Sequence, residues 1–418
     1  MGNPGRSLAL LTGLALLVGA CRTGDSGSAT TGGGGTFKIG YYGALSGDFA
    51  SSGKDALNGL RMFLEEDDNQ AGGTQIEIIT EDTAGDPQNA LNKARKLVEQ
   101  DGVDVLVGPT LADEGYAVRD YVDQTEVPNL FPTVSGDDIT QRLRTDWIIR
   151  TGWTSSQPAH PFAQWVYDQG VRRVAIIAYD YAFGWENVGG FQNVFEDLGG
   201  EVVQKLWTPQ ETLDFAPYLG RLSKDVDGVI VAQSGANAIS FLQQWQDFGL
   251  EGELPLYGLS AISDESILKE MGDEAVGMFT ALHWSAASDT PEARTFVKDF
   301  QSEFGYVPGY RAESGYVTGQ VIVNALENSG GGFDDAAELT EALKAAEIDA
   351  PRGPVSFDKY GGVVQNVYIR EVEKVDGKLQ NTVIDTFEDV SQFWEYDPKE
   401  FLEAPVYSGN YYGQDIEL

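Results

Sequence analysis

From Phe37 onward, short runs of consecutive apolar residues alternate with segments in which apolar residues recur every three or four positions. That alternation predicts buried strands followed by amphipathic helices, the pattern of a parallel sheet with helices on both faces. Residues 37–42 read as a strand. Ala56, Leu57, Leu60, Phe63 and Leu64 then share one helical face, in a helix ending near Gly72-Gly73, and residues 76–80 return to strand. Pro87 opens a helix carrying Leu91, Ala94, Leu97 and Val98, and residues 103–107 form a buried strand stopped at Gly108-Pro109.

The pattern restarts after Trp153, with helix 158–169, strand 174–179, helix 185–198 and strand 201–207. Strand 228–232, a helix bearing Ile239, Leu242 and Trp245, and strands 255–258 and 276–280 complete a second α/β unit. Residues 292–304, 312–328 and 336–346 read as three helices with few strands between them. They need a sheet formed elsewhere, and the first unit supplies it. Residues 363–372 and 379–386 flank Asp376-Gly377, a strong two-residue hairpin signal.

The region from Phe37 onward is about twice the usual domain size, so two lobes are expected. A hydrophobic content of 42% with eight Trp and twenty Phe is enough for substantial cores. The 65 acidic against 28 basic residues give a formal net charge of −37, which opposes any polyanionic partner and excludes nucleic acid as a main one. The acid excess is spread along the chain and reads as a strongly solvated surface.

The N-terminus changes the picture. An apolar run from Leu8 to Gly19 follows a stretch with one basic residue, Arg6, and ends in Val18-Gly19-Ala20-Cys21. This is similar to the lipobox of bacterial lipoproteins, so residues 1–20 are expected to be a lipoprotein signal peptide and Cys21 the lipid-attachment site. The run is too short for a spanning helix. Residues 21–36, rich in Gly, Ser and Thr, read as a flexible tether. Cys21 is the one cysteine in the chain, so no disulfide forms within it.

Catalytic and metal signatures are mostly absent. There is no nucleophile elbow, no phosphate-binding loop, no H-E-x-x-H and no calcium loop of the EF-hand type, and His160 and His283 are far apart in sequence. Neither an enzyme nor a cofactor or metal is expected. What the chain does carry are Gly- and hydroxyl-rich turns directly after strands: residues 43–47 continuing to 51–53, residues 108–112 and residues 131–136. In open α/β sheets such turns face the ligand crevice at the carboxyl ends of the strands. Their N–H groups and hydroxyls suit a carboxylate or amide.

Phe37-Lys38-Ile39-Gly40 to Leu45-Ser46-Gly47, then Glu81-Asp82-Thr83-Ala84-Gly85-Asp86-Pro87 through Gly102-Val103-Asp104 to Gly108-Pro109, resembles the first lobe of leucine/isoleucine/valine-binding proteins. Tyr179-Asp180-Tyr181-Ala182-Phe183-Gly184 resembles that family's second-lobe loop, and Arg352-Gly353-Pro354-Val355-Ser356-Phe357-Asp358 its last crossover. The resemblance covers about residues 37 to 390. It implies a type I periplasmic binding protein fold: α/β, two doubly wound lobes with parallel central sheets, joined by a three-crossover hinge. The crossings fall near Gly152, Trp284 and Pro354. Lobe 1 is then 37–152 plus 286–353, lobe 2 is 153–285 plus 354–390, and 391–418 is a C-terminal tail packed on the surface.

The resemblance places ligand contacts on Ala112, Thr133 and Ser135 in lobe 1 and on Phe183, Ser234 and Ser260 in lobe 2, with Ser52 where an aromatic ring meets the ligand side chain. Ala112 stands where the family usually has serine, and Ser260 where it has the glutamate that pairs with an amino acid's ammonium group. Glu313 is a candidate substitute acid. Ser52 and Ser234 replace larger aromatic residues, which implies a roomier, more polar pocket. The expectation is a lipid-anchored solute-binding protein on the extracytoplasmic face of the cell membrane. It captures an amino acid of branched-chain type, or a related small amide or carboxylate, and delivers it to ABC permease subunits. The alternatives are a ligand sensor with the same fold and a secreted serine hydrolase using Ser46 or Ser135.

Overall fold

A computed structural model describes residues 35–412. Cys21, the signal-peptide segment and nearly all of the tether lie outside the described residues.

The first sheet has six strands, β1 (Thr36–Gly43), β2 (Gln70–Ala71), β3 (Thr74–Asp82), β4 (Val105–Val107), β5 (Asn129–Phe131) and β6 (Ile148–Arg150), in the order β2-β3-β1-β4-β5-β6. All pairings are parallel except the β2–β3 hairpin. Helices α1 (Ala50–Glu65), α2 (Pro87–Lys96) and α3 (Ala112–Thr125) connect these strands. Pro87 occupies the first turn of α2 and the Asp86 side chain caps it, accepting from Asn89 N at 2.7 Å. Helix α1 stops at Glu65, short of the Gly72-Gly73 end expected from the sequence. Asp68 and Asn69 take positive φ and turn the chain into β2, and the two glycines make the β2–β3 turn.

The second sheet holds β7 (Arg173–Tyr179), β8 (Glu201–Thr208), β9 (Gly228–Ala232), β10 (Leu256–Leu259) and β11 (Phe279–Leu282), followed by β12 (Ile348–Ala350), β13 (Gly353–Phe357), β14 (Val363–Val375) and β15 (Lys378–Val390). Strands β7 to β11 pair in parallel. Strand β14 joins β11 antiparallel and carries β13 and β15, so antiparallel strands extend the expected parallel core of this sheet. Strand β7 is buried on both faces from Val174 to Tyr179, which explains its unbroken apolar run. Asp376 and Gly377 both take positive φ between β14 and β15, as a two-residue hairpin turn requires. Around this sheet pack α4 (Ala159–Asp168), α5 (Ala182–Asp197), α6 (Ala216–Leu219), α7 (Gly235–Asp247) and α8 (Glu265–Leu268).

Three late helices, α9 (Pro291–Phe304), α10 (Tyr310–Ser329) and α11 (Ala336–Lys344), follow β11. Val317, Val321, Leu326, Leu339 and Leu343 of α10 and α11 share one core with Phe37, Ile39, Val105 and Ile149 of the first sheet. Helices α1 and α10 touch through glycines: a Cβ on Gly59 would lie 1.8 Å from Ala312 O, and one on Gly315 would lie 2.0 Å from Ala56 O. The tail is more than a surface wrap. Phe393, Tyr396 and Phe401, the last on α12 (Pro398–Glu403), are buried in the core of the second lobe.

Buried arginines tie down the segments where the crossings are expected. Arg352 donates to Gly152 O at 3.1 Å and Arg370 donates to Trp284 O at 2.7 Å, each fixing a segment near an expected crossing. No helix among the described residues is long and apolar enough to cross a membrane.

Candidate ligand-binding cleft

The carboxyl ends of β4 and β5 in the first lobe face the starts of α5 and α7 in the second. Between them a cavity of about 140 Å³ receives residues from both lobes and from the segment after β6. Five of the expected contacts line it: Ala112, Thr133, Ser135, Phe183 and Ser234. A larger, open concavity of about 680 Å³ lies elsewhere, by α11 and the β13–β14 turn, away from these strand ends.

Two expected contacts are not among the lining residues. Ser52 sits in the first turn of α1, where Phe49 reaches the cavity instead. Ser260 is 1% exposed, and its hydroxyl donates to Asn187 Oδ1 on α5. The substitute acid proposed from the sequence is also engaged. Glu313 accepts from Arg352 Nε at 2.8 Å, and both side chains are fully buried.

The anion-binding role expected of the β4 turn is only partly open. Glu114 of α3 accepts from Leu111 N at 2.8 Å and from Thr110 N at 3.2 Å, so these two amides are taken. Thr133 spends its hydroxyl proton on Thr110 O at 2.9 Å. The first lobe therefore presents small, largely satisfied polar groups.

What the sequence did not single out is an aromatic wall with one cation. Trp153, Tyr181, Phe183 and Tyr310 line the cavity with Phe49. The Trp153 ring meets Phe183 edge-on at 6.2 Å and Tyr310 edge-on at 5.5 Å, and Phe183 stacks with Tyr181 at 6.1 Å. Trp153 is buried, and its indole N–H has no partner among the described residues. An orphaned buried donor beside a cavity costs free energy that an acceptor in the cavity would recover.

Among the described residues, Arg311 is the one cation lining the cavity. It is half-buried, its guanidinium lies 4.5 Å from the Tyr310 ring centre, and it makes no hydrogen bond or ion pair among the described residues. Burial opposes its charge. The negative potential of Tyr310, Asp264 and Asp55 outweighs burial and holds its pKa above the ordinary value. It also stands in the first turn of a 20-residue helix, where the macrodipole disfavours a cation. A charged guanidinium that lines a cavity with no hydrogen-bond or ion-pair partner among the described residues is a candidate functional residue.

The histidines are structural. Burial pushes His160 down to about 3, and its Nε2 lies 3.4 Å from the Tyr407 hydroxyl. Burial, with the positive charges of Arg352 and Arg370, pushes His283 well below its usual value, and its Nε2 lies 3.4 Å from Ser314 Oγ. Both imidazoles are neutral at physiological pH, and neither pairs with Ser46 or Ser135.

Beside the cleft, one acid from each lobe meets in a buried site. Asp137 N donates to Glu186 Oε1 at 3.1 Å, and Ser156 N donates to Asp137 Oδ1 at 3.2 Å. Burial, and for Glu186 the repulsion from Asp137, pushes both carboxyls up, Asp137 to about 6. Acids with raised folded-state values bind more protons folded than unfolded. Their stabilisation is complete below the unfolded pKa, near 4, and is lost as pH rises through about 6. Glu186→Gln is expected to flatten the fall in melting temperature between pH 4 and 7 and to raise it at pH 8. A thermal-melt series showing parallel curves for the two proteins would refute this.

The family model described as periplasmic binding protein matches residues 36–378. Leu/Ile/Val-binding protein homolog 6 of Brucella melitensis is 32% identical over 358 residues, covering 84% of this chain and 91% of that protein. An ABC transporter substrate-binding protein from Sphaerobacter thermophilus superposes with a TM-score of 0.83 at 35% identity, covering 85% of this chain and 99% of the other. A solute binding protein of an ABC transporter from Rhodopseudomonas palustris, solved in complex with 3,4-dihydroxybenzoic acid, gives a TM-score of 0.79 at 32% identity, with 85% and 98% covered. By the family model over residues 36–378 and by these relatives, the chain belongs to the periplasmic binding protein family and is a solute-binding protein of an ABC transporter, not an enzyme.

Proposed function

We propose that the chain captures a small aromatic carboxylate between its lobes and hands it to the permease of an importer. The observation that carries this reading is Arg311, unpaired in a cavity walled by aromatic rings. A guanidinium offers a carboxylate two parallel donors, and rings meeting edge-on offer a planar ligand faces and edges to pack against. The cavity of about 140 Å³ is well below the roughly 300–1,000 Å³ of drug-sized sites, so it suits a single substituted ring. At the second-lobe end, Gln210 and Ser234 suit ring hydroxyl groups. The relative from Rhodopseudomonas palustris, solved with a dihydroxybenzoic acid, supports the same class.

The expected roles of Ala112, Thr133, Ser135, Phe183 and Ser234 as ligand contacts stand within this reading. We read the lobes as 37–152 plus 286–353 and 153–285 plus 354–390. The ligand touches both lobes only when they are closed, and that differential contact shifts the hinge equilibrium.

An amino-acid ligand is the second reading. It rests on the name of the Brucella relative and on Asp113, the one acid lining the cavity among the described residues. Asp113 is exposed, which makes it a weak partner for an ammonium group. A thermal-shift screen separates the two. Saturating 4-hydroxybenzoate or 3,4-dihydroxybenzoate is expected to raise the melting temperature, since ligand at 100 times its Kd adds about 2.7 kcal/mol. A shift with leucine and none with benzoates would reverse the assignment.

Tethering to the membrane through acylated Cys21 also belongs to this reading, on the sequence of its lipobox. In a bacterial host, Cys21→Ser is expected to move the protein from the detergent phase to the aqueous phase in a phase-partition assay. Unchanged partition would remove the anchor from the account.

A further inference from the structure

Asp264 follows β10 in the second lobe, and its carboxylate is 3% exposed. It caps its own short helix α8, accepting from Ser266 N at 3.1 Å. Its other oxygen accepts from Tyr310 N at 3.2 Å. Tyr310 is the first residue of α10, which packs on the first sheet. One carboxylate thus caps two helices that belong to different lobes.

Helix α10 cannot cap itself. Its N-cap residue is Gly309, which has no side chain and is not replaced by any local cap. The glycine is also what lets the acid approach: a Cβ on Gly309 would lie 2.6 Å from Asp264 Oδ1. The first turn held in this way carries Tyr310 and Arg311, both on the cavity wall.

We propose that Asp264 is a positioning residue for ligand capture, a cap supplied from the second lobe that seats the first turn of α10, and with it Arg311, when the lobes are closed. The cap is charge-assisted, because the acid meets the positive end of the helix. The neighbouring cation adds to this, since Asp264 contributes to the potential that holds Arg311 charged. The proposal rests on the cleft described above but not on the identity of its ligand.

The test uses the full chain and three variants, Asp264→Ala, Asp264→Asn and Gly309→Ala. Without any ligand, Asp264→Ala and Gly309→Ala are expected to speed amide hydrogen exchange in the first turn of α10 by about tenfold. They are also expected to enlarge the radius of gyration measured by X-ray scattering. Asp264→Asn keeps an acceptor and is expected to restore most of the protection. Affinity for 4-hydroxybenzoate, or for leucine if the wild type prefers it, falls in the same order. Unchanged exchange and radius in Asp264→Ala would overturn the proposal, as would a lower melting temperature with undiminished affinity. Should the wild type bind neither probe, the ligand reading fails while the exchange and scattering arms still decide this one.

Discussion

Arg311→Ala is expected to weaken capture of 4-hydroxybenzoate by on the order of a hundredfold to a thousandfold in Kd, with little change in melting temperature. The size follows from what is removed. A carboxylate drawn into a closed cleft loses its hydration, and without the guanidinium no other cation lines the cavity to replace it. The small effect on folding follows from Arg311 making no hydrogen bond or ion pair among the described residues, its contact with the Tyr310 ring being the one interaction lost there. Removing it also relieves a cation from the positive end of α10. Arg311→Lys is expected to fall between the two, because an ammonium keeps the charge and loses the paired donors. Isothermal titration of the three proteins gives the answer, and an Arg311→Ala variant that binds like the wild type would remove the anchor from the account.

Glu313→Ala has its effect on stability instead. Glu313 and Arg352 form a fully buried pair, with Nε to Oε1 and Nη2 to Oε2 both at 2.8 Å. Arg352 also holds Gly152 O near the first crossing and reaches Gln365 of β14. Burial pushes Glu313 up and the Arg352 guanidinium draws it back, so the acid depends on its partner to remain charged. Deleting it leaves an uncompensated buried guanidinium at the junction of the lobes, at a cost of about 3–5 kcal/mol. That predicts a fall in melting temperature on the order of 10 °C. The double variant Glu313→Leu with Arg352→Met is expected to recover much of the loss, because two apolar groups leave no buried charge. Calorimetric melts check both, and a double variant no more stable than the single would show that packing, not charge, holds the site.

These two residues also show what could be read in advance. The strands of both sheets declared themselves where burial on two faces forces a continuous apolar run, as in β7 and β9. The hairpin at Asp376-Gly377 was legible because positive φ at both turn positions narrows the choice of residues. Helix α3 was not foreseen. Its apolar positions thin out to Val118, Tyr121 and Val122, and Gly115 lies in its first turn, where the close Val134 side chain leaves no room for a Cβ. The burial of the tail was equally hidden, since scattered aromatics carry no period.

At the cleft, five of the residues that sequence motifs singled out line the cavity, but the chemistry around them was left to be found. Ser260 looked exposed to a ligand because of its place after a strand, yet a positive φ turns it toward Asn187. Glu313 looked available because its partner lies 39 residues away in the chain. Arg311 carried a local signal, a cation in the first turn of a helix two residues before Glu313, an acid that suits that end better. It became visible only once the helix was seen to start at Tyr310. The aromatic wall is assembled from distant segments, and no spacing rule joins Phe49, Trp153, Phe183 and Tyr310.

A crystal structure of the chain grown with 4-hydroxybenzoate would show most directly whether the ligand is captured between the lobes. Closed lobes are expected, with the carboxylate within hydrogen-bond distance of the Arg311 guanidinium and the ring packed against Trp153, Phe183 and Tyr310. A ligand bound outside this cleft, or a leucine seated there with its ammonium group on Asp113 after benzoate fails to bind, would contradict this expectation.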